Sequence, residues 1–438
     1  PNIYVVLSSG MSSNSLVLTD RQARDVESEI ADLDHALSSE QTLKELISGL
    51  PQQVLGGVRR SLATERRELG DALNAYEKAK QGDAALLKER VGNDPGALLV
   101  ASRILKQISQ KELARNLGLK EQQIQRYEAD RYSKITLANF RKIAGVLGAR
   151  LVLDTDPPAK EWAIPHRIPT PDDLNKVVRH AREHGWLEGE NSDDSTVGQL
   201  VRRVADHVRR YGTPSLLRTG LNVLEDANDW ILLSWKAQVT RIAERIIEDR
   251  QPTYRPLAVS WLVDLVCLSR LNDGPVRARD MLLEHGIVLV VEPHIVGMKV
   301  DGAAFLVGKV PVIGLTLLRD ALDNFWFTLL HEVAHVVLHY HTGLSSGFFD
   351  DETTSVEVDE MEGEANAFAS NLLLSEELWA RSPARIAKTA EPIERLARQL
   401  NIHPAIVFGR VRMERRDYSL FSNKIGRGLV RGQFMPRS

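Results

Sequence analysis

Apolar residues recur at helical spacing over most of the first hundred positions. In "RQARDVESEIADLDHALSSE", Val26, Ile30, Leu33 and Leu37 fall three or four apart and draw one stripe along a helix. The helical pattern runs from about 17 to 93, with breaks predicted at Pro51 and Gly56–Gly57 and a stop at "NDPG", 93–96. A compact helical unit is predicted from about 97 to 153. The stretch "DTDPPAKEWAIPHRIPTPDD" (154–173), with five prolines, then reads as a linker. Helical spacing resumes from 174 to about 250, with Trp186, Trp230 and Trp235 at core positions. Beyond Arg277 the pattern changes: "RARDMLLEHGIVLVVEPH" reads as a helix, a turn at Gly286 and a β-branched strand. "VGMKVDGAAFLVGKVPVIGL" gives two short strands split by Gly308 and Pro311, and a further helix follows.

The predicted fold is multidomain and mainly α: an all-α region first, an α+β domain last. The expected domains are a helical arm (1–96), a helical unit (97–153), the linker (154–173), a helical region (174–254) and the α+β domain (255–438). A chain of 438 residues is too long for one ordinary core, which agrees with that division. Hydrophobic residues make up 43% and charged residues 26%, and no apolar run approaches the roughly 20 residues of a membrane helix. No membrane partner is therefore expected. The opening "PNIYVVLSSG" precedes Met11, is short and has no basic leader, so a secretory signal is not expected. Cys267 is the sole cysteine, which excludes an internal disulfide and any CxxC metal site and fits a cytoplasmic location.

Four of the twelve histidines crowd into "FTLLHEVAHVVLHYH", 327–341. His331 and His335 lie four apart, so a helix sets both imidazoles on one face, one turn apart. Glu332 follows the first of them, completing H-E-x-x-H, and is placed to act as catalytic base. A catalytic zinc site wants a third protein ligand and one open position. His341 stands ten residues after His331, where some enzymes place a third histidine. Leu338, however, occupies the position where those enzymes have a helix-breaking glycine. The better candidate lies in "VDEMEGEANAFASNLLLSEEL". There Met361, Ala365, Phe368, Ala369, Leu372 and Leu373 define an apolar arc that contains Glu362. A carboxylate turned into an apolar face needs a partner, and a cation on the neighbouring helix would supply it. One zinc ion is thus expected on His331, His335 and Glu362.

"FTLLHEVAH" followed by "EGEANAFASNLLL" resembles the ImmA/IrrE family of zinc metallo-endopeptidases, which pair an H-E-x-x-H helix with an E-x-x-A-N/D helix. The resemblance covers roughly 255–415 and implies the same three ligands, with Glu332 as base. One departure is the "DNFWFT" lead-in, where many members carry a basic residue; it bears on substrate choice. Zinc would polarise the scissile carbonyl and lower the pKa of a bound water towards about 7, and Glu332 would accept the proton. No oxyanion helper is assigned, although His339, Tyr340 and His341 are near in sequence.

"SQKELARNLGLKEQQIQRYEADR", 109–131, reads as helix, turn, helix. Ser109 and Glu112 form a capping box, Ala114 is small where the helices cross, and Gly118 supplies a left-handed turn. Leu113, Leu117, Ile124 and Tyr127 are expected between the helices, with Leu137, Phe140, Ala144 and Leu147 of a supporting helix turned inward. From Ala97 to Arg150 eleven Lys and Arg face four Asp and Glu, a charge of +7, against −3 for the whole chain. Such a basic module suits phosphate binding. The segment resembles the phage-repressor (XRE/Cro) helix-turn-helix family over about fifty residues. The resemblance implies that Gln110 touches a phosphate while Glu121, Gln122 and Arg126 face base edges.

Together the motifs predict a regulator that binds operator DNA as a homodimer and carries a zinc-dependent endopeptidase domain. Its expected protein partner is a regulator substrate, in cis or in trans, or a toxin, within a stress, prophage or toxin–antitoxin response. The competing expectation is a repressor or antitoxin whose zinc domain only senses a signal or binds a partner.

Overall fold

The computed structural model describes residues 3–6, 16–46, 52–91, 94–129, 131–132, 135–152, 170–186, 196–211, 230–255, 259–340, 344 and 355–434. Most of the proline-rich stretch and His341 lie outside these residues. The chain forms two compact units, each discontinuous: Pro1–Ala36 with Ala63–Ile164, and Leu37–Leu62 with Pro165–Ser438.

In the N-terminal region the chain forms α1 (Asp20–Leu37), α2 (Glu40–Leu46), α3 (Gln52–Lys80) and α4 (Ala85–Val91). The predicted stripe on α1 does turn inward, with Leu33 fully buried and Val26, Ile30 and Leu37 half-buried. The predicted break at Gly56–Gly57 does not occur, because α3 runs through both glycines for 29 residues. Glycine in a helix interior costs about 1 kcal/mol relative to alanine. At Gly57 the absent Cβ makes room for Leu338, whose Cδ2 would lie 3.0 Å from it.

Four helices build the helix-turn-helix: α5 (Pro95–Leu105), α6 (Gln110–Leu117), α7 (Glu121–Ala129) and α8 (Leu137–Val146). Ser109 caps α6 by accepting from the Glu112 amide, and Gly118 ends it at φ 69°. Leu113, Leu117 and Ile124 are buried and Tyr127 is half-buried. On α8, Ala144 and Leu147 are buried and Phe140 half-buried, but Leu137 is 56% exposed. Leu137 is the first residue after the Thr136 cap, and Ile143 is buried instead. A parallel pair of strands, β1 (Ile3–Val6) and β2 (Ala149–Val152), adds an element that helical periodicity did not predict.

The second unit continues with α9 (Pro171–Glu183), α10 (Thr196–Tyr211), α11 (Trp230–Arg250), α12 (Trp261–Cys267) and α13 (Gly274–Glu284). Strands β3 (Val288–Val291), β4 (Gly302–Val307) and β5 (Val310–Leu315) form a sheet in the order β3-β5-β4. β3 runs parallel and β4 antiparallel to β5. The β4–β5 hairpin turns at Gly308, φ 64°, whereas Pro311 lies inside β5 rather than splitting the strands. Five more helices complete the unit: α14 (Leu322–His339), α15 (Ser355–Leu373), α16 (Glu376–Arg381), α17 (Glu391–Leu400) and α18 (Pro404–Glu414), with a last short turn α19 (Arg431–Phe434).

Helix α11 covers one face of the sheet, where Gly314 makes way for the Trp235 ring. Alternation along the strands turns Leu315 and Gly302 to the other face, onto α14. Trp186, Trp230 and Trp235 are all buried. The Trp186 indole donates to the Glu292 carboxylate and the Trp235 indole to the Glu292 carbonyl, tying these helices to the end of β3. Two ionisable groups are also buried here: burial pushes His207 down to about 3 and Lys236 down to about 8. Among the described residues no helix is long and apolar enough to cross a membrane.

Candidate metal centre and DNA-reading helix

Helix α14 is buried along nearly its whole length, and the i, i+4 spacing sets His331 and His335 side by side facing α15. The arc predicted for α15 is the face it buries: Ala365, Phe368, Ala369, Leu372 and Leu373 are buried and Met361 is half-buried. Glu362 emerges from that face toward the two histidines. Its Oε2 lies 3.3 Å from His331 Nε2 and its Oε1 3.4 Å from His335 Nε2. The two Nε2 atoms are 3.1 Å apart. Among the described residues, these three form a group whose ligand atoms lie within 4.8 Å of one another.

The tautomers follow from the outer partners. His331 Nδ1 meets Asn366 Oδ1 at 3.1 Å, an acceptor, so Nδ1 carries the proton and Nε2 a lone pair. Glu364 Oε2 accepts from His339 Nε2 at 3.1 Å, which leaves neutral His339 a lone pair on Nδ1. That lone pair accepts from His335 Nδ1 at 3.1 Å, and His335 Nε2 is again an acceptor. Two imidazole lone pairs and a carboxylate therefore converge, and only a proton or a cation satisfies all three. Their separations of 3.1–3.4 Å compare with the ~3.4 Å edge of a tetrahedron having ~2.1 Å bonds. Two neutral nitrogens with one carboxylate form a donor set suited to zinc.

The titration behaviour agrees. Where a proton rather than a cation fills the cluster, burial resists charge on Glu362, but hydrogen bonds from the protonated His331 and His335 rings outweigh it and bring the carboxyl down to about 2. Burial also resists charge on His331, and there the Glu362 and Glu332 carboxylates prevail and hold the ring above its ordinary value. Glu332 is raised, chiefly by burial, although His331 and His335 pull the other way. It packs under β4 at Gly302, where a Cβ would come within 2.9 Å of its Oε1. Periodicity gave no role to Gly302; its signal was a glycine at the start of an otherwise β-branched and apolar hairpin. Asn366, His339 and Glu364 were also left without a role, although the four-residue spacing of 331, 335 and 339 is visible in the sequence. Tyr340 donates its hydroxyl to the Lys309 carbonyl, in the β4–β5 turn.

In the helix-turn-helix, Glu121, Gln122 and Arg126 are exposed on α7, and the Arg126 guanidinium lies 5.8 Å from the Tyr127 ring centre. Gln110 is half-buried and donates to Glu128 at 2.7 Å. Glu128 is buried and pairs bidentately with Arg103, which donates from Nε at 2.6 Å and from Nη2 at 2.8 Å. The Tyr132 hydroxyl donates to the same carboxylate at 3.2 Å. This network was not foreseen, because nothing in its spacing distinguishes Arg103 or Glu128 from surface charges.

Residues 284–408 match the family model of the IrrE N-terminal-like domain, a metallopeptidase family. Residues 100–153 match the helix-turn-helix model. The chain joins these two domains. The IrrE-like match spans the sheet, all three histidines of α14 and the whole of α15. The helix-turn-helix match spans α6, α7 and α8. No curated protein and no solved structure matches the chain.

Proposed function

We propose that this chain is a DNA-binding regulator whose IrrE-like domain is a zinc-dependent endopeptidase acting on a regulator protein, itself included. The observation that carries the reading is the convergence of His331, His335 and Glu362 beside the buried Glu332. Bound there, zinc supplies Lewis acidity at a scissile carbonyl. Glu332 takes the proton of the attacking water and passes it to the leaving amine, and its burial raises its affinity for that proton. The substrate has a place to lie. Among the described residues β4 is an edge strand; the amides of Gly302, Ala304 and Leu306 sit opposite non-hydrogen-bonded partners of β5 and point away from it, and that of Ala304 donates to Glu332. An extended peptide pairing there passes directly over Glu332.

On the DNA side, Glu121, Gln122 and Arg126 face base edges in the major groove. Gln110 keeps one amide proton for a phosphate while the other holds Glu128. We read the protein as a cytoplasmic homodimer acting in a stress, prophage or toxin–antitoxin response, a setting supported by the joining of a helix-turn-helix to an IrrE-like domain. A second reading is favoured by one observation: His331, Glu332 and His335 are each at most 9% exposed. A site so enclosed suits a repressor or antitoxin in which the metal senses a signal or orders a partner surface.

The deciding experiment incubates the full chain with zinc and with double-stranded DNA, alone and alongside a helix-turn-helix regulator, for wild type and Glu332→Gln. A discrete fragment formed by wild type only supports the peptidase. Zinc bound stoichiometrically with no cleavage by either form supports the second reading.

A further inference from the structure

The metal centre does not end at its donors. His335 leans on His339, and His339 leans on Glu364, as the tautomers above require. Beyond Glu364 stands Arg60 of α3, whose Nη2 donates to Glu364 Oε1, so each carboxylate oxygen has its own partner. Arg60 is not alone. Ser61 donates its hydroxyl to the Val337 carbonyl at 3.1 Å. That carbonyl belongs to the last turn of α14. Val58 and Leu62 are 2% and 3% exposed, and Gly57 admits Leu338. Residues 57, 58, 61 and 62 are the i, i+1, i+4, i+5 face of one helix. α3 therefore meets the metal-bearing helix on two levels, backbone and ligand chain.

We propose that the first half of α3 is a positioning element of the metal centre: Arg60 and Ser61 hold Glu364 and the end of α14, and through His339 they fix the ring orientation of His335. The inference rests on the zinc reading and adds to it the parts of the chain on which zinc affinity depends. His339 is a positioning residue, not a fourth ligand, since both of its ring nitrogens are already committed. Linkage makes the coupling reciprocal, so zinc binding tightens the seat of α3.

The test uses the full chain and two readouts independent of cleavage. Zinc affinity is measured by chelator competition, and amide hydrogen exchange across 55–62 is measured with and without zinc. Loss of an outer partner of a ligating histidine weakens metal binding by ~10–100-fold, so His339→Leu is expected in that range. His339→Gln, whose amide can accept from His335 and donate to Glu364, recovers most of the affinity. Glu364→Gln and Gly57→Val keep every donor and the histidine chain's buried members; each weakens zinc binding severalfold, and Gly57→Val also speeds exchange across 55–62. In wild type, zinc slows that exchange. Equal zinc affinity in wild type, His339→Leu and Gly57→Val overturns the positioning role and leaves the metal reading standing. A glutamine variant as weak as the leucine variant also overturns it, since packing alone would then explain the loss. No zinc bound by wild type overturns the metal reading and this inference together.

Discussion

Each unit buries a polar cluster among helices, and the two clusters are built on opposite plans. In the helix-turn-helix, the Glu128 carboxylate meets four donors from Arg103, Gln110 and Tyr132, so its charge and its lone pairs are matched within the chain. On α14 and α15, the atoms that meet are all acceptors, and each imidazole is held in that state by a partner on its far side. The first cluster is closed and needs nothing further. The second is satisfied only by adding positive charge from outside. Burial alone therefore does not mark a site; an unmatched set of acceptors does.

That contrast can be broken first at Glu128. Glu128→Ala strands the Arg103 charge and should cost about 3–5 kcal/mol, measured by urea denaturation, whereas a paired Arg103→Met, Glu128→Leu change should regain most of it. A loss under about 1 kcal/mol would show that the closed cluster is not self-sufficient. At the open cluster no apolar replacement compensates. Glu362→Ala should weaken zinc binding beyond the ~10–100-fold of an outer partner, read by elemental analysis and competition. Retained affinity there, with loss in His341→Ala, would reassign the third donor. Arg126→Ala lies outside both clusters. It should weaken operator binding by about 1–3 kcal/mol and relax one base position, against an equal loss on all sequences if Arg126 touches phosphate alone.

A milder test uses pH. His207 has a folded value of about 3, below the 6.5 of an unfolded chain, so the folded form binds fewer protons between them. The stability it contributes is complete above about pH 6.5 and is lost as pH falls toward 3, and His207→Phe should flatten that acid limb. The smallest effect separates two neighbouring glycines. Gly56→Ala points toward solvent and should stabilise α3 by ~0.5–1 kcal/mol, while Gly57→Ala meets Leu338 and should gain nothing or lose.

The candidate metal site was legible because its donors are periodic. Four-residue spacing paired the histidines, and a carboxylate inside an apolar arc stood out against helical geometry. Helix α1, the α6–α7 turn and the β4–β5 hairpin were legible for the same reason, since local rules decide them. What remained hidden depends on contacts between distant segments. Gly56–Gly57 looked like a break because its neighbour Leu338 is nearly three hundred positions away. Leu137 looked like core because its periodicity ignores that a first-turn residue on a short helix overhangs solvent. Arg103 and Glu128 drew no reading because their pairing spans two helices and a turn.

The placing of Leu37–Leu62 with the C-terminal unit has a consequence for synthesis. Ser61 leaves the ribosome 276 residues before Val337, whose carbonyl it serves. At ~5–20 residues per second the wait is roughly 14–55 s, long beside the formation of any helix. Through that interval the face of α3 that carries Gly57 and Ser61 lacks Leu338 and Val337, its partners on α14. The nascent chain thus passes through a stage in which the helix-turn-helix is complete and the first half of α3 still waits for α14. A holdase that recognises short apolar helices has its best opportunity there, and a stop codon in that interval yields a protein with the helix-turn-helix but without α14.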